Sequence, residues 1–345
     1  MKQFLMGNEI LARAAFEAGA QAMFGYPITP TTEVLATWAK FASEHNLISL
    51  QTEDEMAAGF GVCGVVLAGK RAFTATGGPG MILMQDPLSM AEAMRLPMVV
   101  FDGQRGGPST GQVIYSQQEV NLAIYGGNGE GLRIVYSTSS LQDLYDYGKK
   151  VFDTAWKYRF PTILLYDGYQ GKMKGTVEIN EITNNKSQIT NSEPILTTNL
   201  RNTYNLEEEL AEVTEKSKRD FDEMAKDVVE YESIGMEGAE VVIFAHGIVA
   251  SAVKKALALL KDEGFWAVGL FRPITLSPFP AKEAMNALER TRQALVFESS
   301  LGQFSRLLKG ATFGVKKTIN EITKPGVGFA PEEIRDYIKK SLKED

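Results

Sequence analysis

The chain has 345 residues, 44% of them hydrophobic and 23% charged, with one cysteine, two histidines and a formal net charge of −7. That length exceeds the roughly 250–300 residues at which single cores stop growing, so two domains are expected of a soluble globular protein. The acidic balance argues against a nucleic-acid surface, the lone Cys63 can build no iron–sulfur cluster, and His45 and His246 are too few for a histidine-rich metal site.

The start, "MKQFLMGNEILARAA", turns charged too soon for a signal peptide, and no run approaches the ~18 apolar residues of a membrane span, so a cytoplasmic chain is expected. Residues 7–22 place Ile10, Leu11, Ala14, Ala15 and Ala18 at helical spacing, with Gly19 near the end. "AMFGYPI" reads as a strand, and Thr31 or Thr32 can cap the helix "TEVLATWAKFASE". "LISLQTE" is a strand running into the small-residue helix "EMAAGFGVCGVVLAG"; "RAFTATGGPG" is strand then loop, and "ILMQDPLSMAEAM" is helical. "PMVVFDGQRGGPSTG" is again strand then loop, and "LRIVYSTS", "LQDLYDYGKKVFDTAWKYR" and "PTILLYDG" complete the alternation. This rhythm predicts a doubly wound parallel sheet with helices on both faces.

From about residue 180 a stretch rich in Asn, Thr and Ser reads as a linker or extended arm, followed by one long charged helix, "LEEELAEVTEKSKRDFDEMAKDVVEYES". Its Leu206, Leu210, Val213, Phe221, Met224 and Val228 form a thin stripe suited to one packed edge. A second, smaller α/β unit starts near Ala239 with "AEVVIFAHG" and "IVASAVKKALALLKDEG". The expected division is 1–179, 180–238 and 239–345, with two doubly wound parallel-sheet domains.

Ligands of open α/β sheets bind beyond the carboxyl ends of the strands. Four loops fall there: "GYPITPTT", "QTEDEM", "TATGGPGM" and "DGQRGGPSTG". A glycine-rich loop alone is often only a tight turn, but Arg105 inside one offers a guanidinium fork suited to a carboxylate. Glu53, Asp54 and Glu55 precede a helix, where acids complement the dipole; the small Ala57, Ala58, Gly59, Gly61 and Gly64 behind them leave room for a backbone or a flat ring. His246 and Cys63 read as structural residues, and the Met-rich "GMILMQDPLSM" as core.

In order and spacing, "GYPITPTTE", "EDEMAAGFG", "ATGGPG" and "QRGGPSTG", with "LFRPITLSPFP", "ESSLGQ" and "GVGFAPEEI" further on, resemble the α subunit of 2-oxoacid:ferredoxin oxidoreductases. The resemblance implies a thiamine-diphosphate pyrimidine-binding domain followed by a transketolase C-terminal-like domain. It implies oxidative decarboxylation of a 2-oxoacid with coenzyme A to acyl-CoA, CO2 and reduced ferredoxin. It puts Mg2+, the diphosphate site and a [4Fe–4S] cluster on a β subunit, with γ and ferredoxin-like δ subunits as further partners and no metal on this chain. By the same resemblance Glu55, with Ala58 and Gly64 behind it, is the acid facing the aminopyrimidine, and Glu53 is not. Thr29 and Arg105 hold the oxoacid's carboxylate, Ser109 and Thr110 reach substrate or coenzyme A, and Gly78, Pro79, Pro27 and Ile28 line the cofactor. "GGPSTG" with "SQQEVNLAIYGGNGEG" is closer to the 2-oxoglutarate and branched-chain types. A regulatory subunit that kept the fold and lost the chemistry, or a transketolase-type enzyme, is the alternative.

Overall fold

The computed structural model describes residues 1–180 and 201–342. Strand β1 (Lys2–Met6) leads into α1 (Gly7–Glu17), then β2 (Ala22–Gly25), α2 (Thr32–His45), β3 (Ile48–Gln51), α3 (Glu55–Leu67) and β4 (Ala72–Thr76). There follow α4 (Pro79–Leu83), α5 (Gln85–Ala93), β5 (Val99–Gln104), α6 (Val120–Tyr125), β6 (Ile134–Ser137), α7 (Leu141–Tyr158), β7 (Thr162–Asp167), α8 (Gly168–Lys172) and β8 (Lys174–Glu178). The remainder comprises α9 (Glu207–Val228), β9 (Tyr231–Ile234), β10 (Val241–Phe244), α10 (Gly247–Asp262), β11 (Val268–Pro273) and β12 (Thr275–Ser277). It closes with α11 (Ala281–Arg290), β13 (Gln293–Glu298), α12 (Gln303–Ala311), β14 (Ile319–Thr323) and α13 (Pro331–Ser341).

Seven strands form the first sheet in the order β12-β6-β7-β5-β4-β2-β3, and five form the second, β14-β13-β10-β11-β9. Pairing is parallel throughout except at β12 against β6 and β9 against β11. The doubly wound α/β expectation therefore stands, with antiparallel strands added at the edges. Strand β12 leaves β11 after a single residue and joins the first sheet, so the backbone itself ties the sheets together. An antiparallel ribbon of β1 and β8 lies apart from both.

The core follows the hydrophobic spacing. Trp38, Phe73, Phe101 and Phe152 pack in the cluster under α1, α2 and α7. Val62, Met81 and Leu88 belong to a second cluster continuous with Phe244, Phe271, Leu276 and Phe304 of the second half. Val249, Val253, Ile334 and Ile338 seal the far side of the second sheet beneath α10 and α13.

Two expectations change here. The charged helix is shorter than its sequence run, because Tyr231–Ile234 pairs as an edge strand with β11. Its apolar stripe packs only at the C-terminal half: Phe221, Met224 and Val228 are buried, whereas Leu206 and Leu210 are 62% and 50% exposed. Most of the expected linker, residues 181–200, lies outside the described residues. No helix among the described residues is long and apolar enough to cross a membrane.

Candidate active site

Strand β2 lies between β3 and β4, so the chain reverses its direction of travel across the sheet at β2. Loops leaving the carboxyl ends of neighbouring strands diverge at such a point and open a crevice. Tyr26–Thr31 follows β2, Thr52–Asp54 follows β3 and Gly77–Gly78 follows β4, so three of the four loops singled out above meet there.

The three acids after β3 have three different fates. Glu53 is exposed. Asp54 is the N-cap of α3, its carboxylate accepting the Ala57 N–H at 2.7 Å. Glu55 is 4% exposed, and its Oε1 has no hydrogen-bond partner. Burial, reinforced by the charge of Asp54, raises its pKa above the ordinary value. Glu55 thus differs from Glu53 and Asp54 in being buried with an oxygen that has no partner. Its carboxyl packs so close to Gly80 that a Cβ there would overlap Oε1.

"GGPG" is not the plain loop the sequence suggests. Gly78 is the N-cap of α4 and Pro79 its first residue, the position where proline's missing N–H costs nothing. Gly78 holds φ +61°, and a Cβ on it would strike Arg105 Nε, so only glycine suits this turn. Arg105 itself is buried at the end of β5; its Nη1 donates to Thr29 O at 2.7 Å, while its Nε has no partner. Thr29 and Arg105 are thus in contact through the Thr29 carbonyl, not through the hydroxyl expected to face the oxoacid. Thr31, not Thr29, occupies the cap position of α2, but its hydroxyl donates to Ile28 O at 3.1 Å.

Ser109 and Thr110 do not join this group. They sit at the exposed tip of a loop whose base is closed by paired hydrogen bonds between Gly106 and Gln112, and Ser109 has φ 54°. Pro27 is exposed, while Ile28 and Pro79 are half-buried near the crevice. The small residues of α3 serve the chain itself at two points, Gly59 against Pro87 and Gly61 against the Phe24 ring; Gly64 faces open space. Cys63 is buried, its thiol pushed up to about 12 by burial, and buried His246 is the N-cap of α10. Met81 and Met84 are core as expected, but Ile82 and Leu83 between them are exposed.

Sequence reasoning missed Asp102 and Glu119. Both are buried, on β5 and just before α6, and they lie side by side: Glu119 accepts from the Gly78 and Arg105 N–H groups, while the Asp102 oxygens have no hydrogen-bond partner. Burial drives Asp102 well above its ordinary value and Glu119 up to about 7. The available signal was an acid inside the apolar run "PMVVFDG".

The family model for pyruvate flavodoxin/ferredoxin oxidoreductase, thiamine diphosphate-binding, matches residues 13–240, and that for pyruvate:ferredoxin oxidoreductase core domain II matches residues 239–333. The chain is 31% identical over 316 residues to ketoisovalerate oxidoreductase subunit VorB of Methanothermobacter marburgensis, covering 90% of each. It is 30% identical over 376 residues to 2-oxoglutarate synthase subunit KorA of Methanothermobacter thermautotrophicus, covering 98% of each. Among solved structures it resembles the 2-oxoglutarate:ferredoxin oxidoreductase from Magnetococcus marinus, with a TM-score of 0.86 and 27% identity, over 99% of this chain. It spans 65% of that chain's length. A split-gene transketolase, at a TM-score of 0.62 and 13% identity, shares the fold.

Proposed function

Since this chain belongs to the family of thiamine-diphosphate-binding 2-oxoacid:ferredoxin oxidoreductase subunits, we propose that it is the α subunit, lending the pyrimidine half of an active centre that a partner chain completes. The reaction is oxidative decarboxylation of a 2-oxoacid, 2-oxoglutarate or a branched-chain acid, with coenzyme A to acyl-CoA, CO2 and reduced ferredoxin. Both substrate classes are in keeping with the names of the similar subunits.

The observation that carries this reading is Glu55: buried, protonation-prone and with a free Oε1 at the switch-point crevice. When bound, thiamine diphosphate supplies the nucleophilic carbon and the electron sink that decarboxylation of a 2-oxoacid requires. The residues present fit its pyrimidine end. Glu55 holds a proton at a carboxyl oxygen and presents it to the ring nitrogen N1′, a general-acid role that burial favours. Gly78, Pro79, Pro27 and Ile28 line the ring's surroundings. Arg105, with its unpartnered Nε, and Thr29 bind the oxoacid's carboxylate and orient it. Ser109 and Thr110, at the exposed loop tip, reach the distal end of the substrate or coenzyme A.

One cysteine cannot by itself hold a [4Fe–4S] cluster; we propose that partner chains carry the cluster, that the β subunit carries Mg2+ and the diphosphate, and that γ, a ferredoxin-like δ and ferredoxin complete the electron path. Exposed Leu50, Ile82 and Leu83, 49%, 57% and 41% accessible, lie on β3 and α4 beside the crevice and suit a partner's covering surface. Residues 1–179 form the pyrimidine-binding unit and 239–345 the transketolase-like one, in keeping with family models that meet at residues 239–240. The test is viologen reduction by the purified complex against a panel of 2-oxoacids with coenzyme A. Turnover confined to 2-oxoglutarate or branched-chain acids supports the reading; a complex silent with every 2-oxoacid overturns it.

A further inference from the structure

We propose that the buried carboxyl pair Asp102–Glu119 is a positioning device that fixes the Gly78 turn against the Arg105 backbone, so that the cofactor-facing and substrate-facing loops keep one separation. The inference rests on the roles given above to Gly78 and Arg105. Glu119 Oε1 accepts the Arg105 N–H at 2.7 Å, and both its oxygens lie 2.8 Å from the Gly78 nitrogen. One carboxylate therefore joins two loops that are far apart in sequence and that leave different strands, β4 and β5. Asp102 is fully buried, neither of its oxygens has a hydrogen-bond partner, and Glu119 is the charged group beside it.

Two carboxylates in contact in a dry site cannot both ionise, so the pair retains a proton. With that proton on Asp102, Glu119 receives three donors, Arg105 N–H, Gly78 N–H and Asp102 O–H, and is saturated. The two main-chain donors belong to the residues on which the site is built. Between them there is no slack, because Gly78 already touches the Arg105 side chain closely enough to exclude a Cβ. A shift of either loop would move Arg105 Nε relative to Glu55, whose carboxyl abuts the same short helix at Gly80. The guanidinium donates through Nη1 to Thr29 O and makes no hydrogen bond to Glu119, whose carboxylate is bonded to main-chain N–H groups.

Asp102→Leu, Asp102→Asn and Glu119→Asp in the assembled complex test this. Two readouts are used: amide hydrogen exchange of the segments around Gly78 and Arg105, and the KM for the oxoacid set against kcat. Asp102→Leu removes the donor, and Glu119→Asp withdraws the acceptor by one methylene. Each is expected to speed exchange at both segments at least tenfold and to raise the KM at least tenfold. Asp102→Asn still donates to Glu119 and is expected to restore both readouts to within about twofold of wild type. Unchanged exchange at both segments in Glu119→Asp, or an Asp102→Asn variant as impaired as Asp102→Leu, overturns the proposal. Exchange is read without turnover, so a complex inactive on every 2-oxoacid would refute the proposed function while the loop fixation is still decided.

Discussion

Both sheets end at their carboxyl edges in loops that start helices, yet the two edges are finished in opposite ways. At the first, Glu55 Oε1 and Arg105 Nε are buried without partners. At the second, Glu298 is saturated: Ser300 Oγ, the Phe304 N–H at 2.9 Å and the Ser305 N–H at 3.0 Å all donate to it, closing the start of α12. His246 lies at the same edge, hydrogen-bonded through Nδ1 to Ser137 Oγ at 3.0 Å with its ring against Phe304, and burial lowers its pKa to about 3. The Gln117 side chain bridges His246 O and the Ser299 N–H, and Asp167 accepts the Ile248 N–H at 2.7 Å. The second edge is thus occupied in clamping the first sheet. His246 Nε2 and Ser305 Oγ at the second edge also lack partners, so what sets the first edge apart is that an unpartnered acid and an unpartnered guanidinium nitrogen sit at one crevice, whereas the acid of the second edge is spent on its own helix start.

Substitutions at the two edges should therefore read out differently. The largest effect is expected from Glu55→Gln, with decarboxylation falling by roughly 10²–10⁴-fold, the scale of a lost general acid, and unfolding temperature unchanged by scanning calorimetry. Arg105→Ala is expected to raise the oxoacid KM by about 10–100-fold, the scale of a lost hydrogen bond to a charged group, and Arg105→Lys should not restore the planar fork. Steady-state titration of the oxoacid checks both. At the second edge, Glu298→Leu orphans two buried N–H groups and should cost about 1–3 kcal/mol of stability each way it is measured, with the oxoacid KM unmoved; a raised KM would erase the contrast.

The smallest effect concerns pH. Burial raises Asp167 from 3.8 to about 7, so the stability tied to its protonated form is complete below 3.8 and lost as pH rises through about 7. His246, lowered from 6.5 to about 3, works the other way: its contribution is present above 6.5 and lost as pH falls towards 3. Asp167→Asn should flatten the fall in unfolding temperature across neutral pH and leave the acid limb set by His246 in place. An unaltered neutral slope would remove Asp167 from the joint's pH response.

Strands β4, β5 and β7 were legible because they are fully buried runs, as in "AFTAT" and "TILLYD", whereas β3, which leads to Glu55, is exposed along its length. The missed strands β1, β8, β9 and β14 are short and alternate with exposed positions, so charge and polarity hid them. Strand β12 has three residues and is defined only by its neighbour across the sheet. At the site, Glu55 was singled out from Glu53 through the family resemblance, with Ala58 and Gly64 behind it, and the burial that separates the two acids is seen only in the fold. The link between Glu119 and Gly78 could not be read, because it joins residues 41 positions apart through a contact no local pattern encodes.

Release of labelled CO2 from a 2-oxoacid by the chain alone, by the assembled complex and by the complex carrying Glu55→Gln tests the half-site directly. Release from the wild-type complex only is the expected result. An isolated chain that decarboxylates at the complex's rate, or a Glu55→Gln complex within about twofold of wild type, against the roughly 10²-fold or greater loss expected of a general acid, would contradict it.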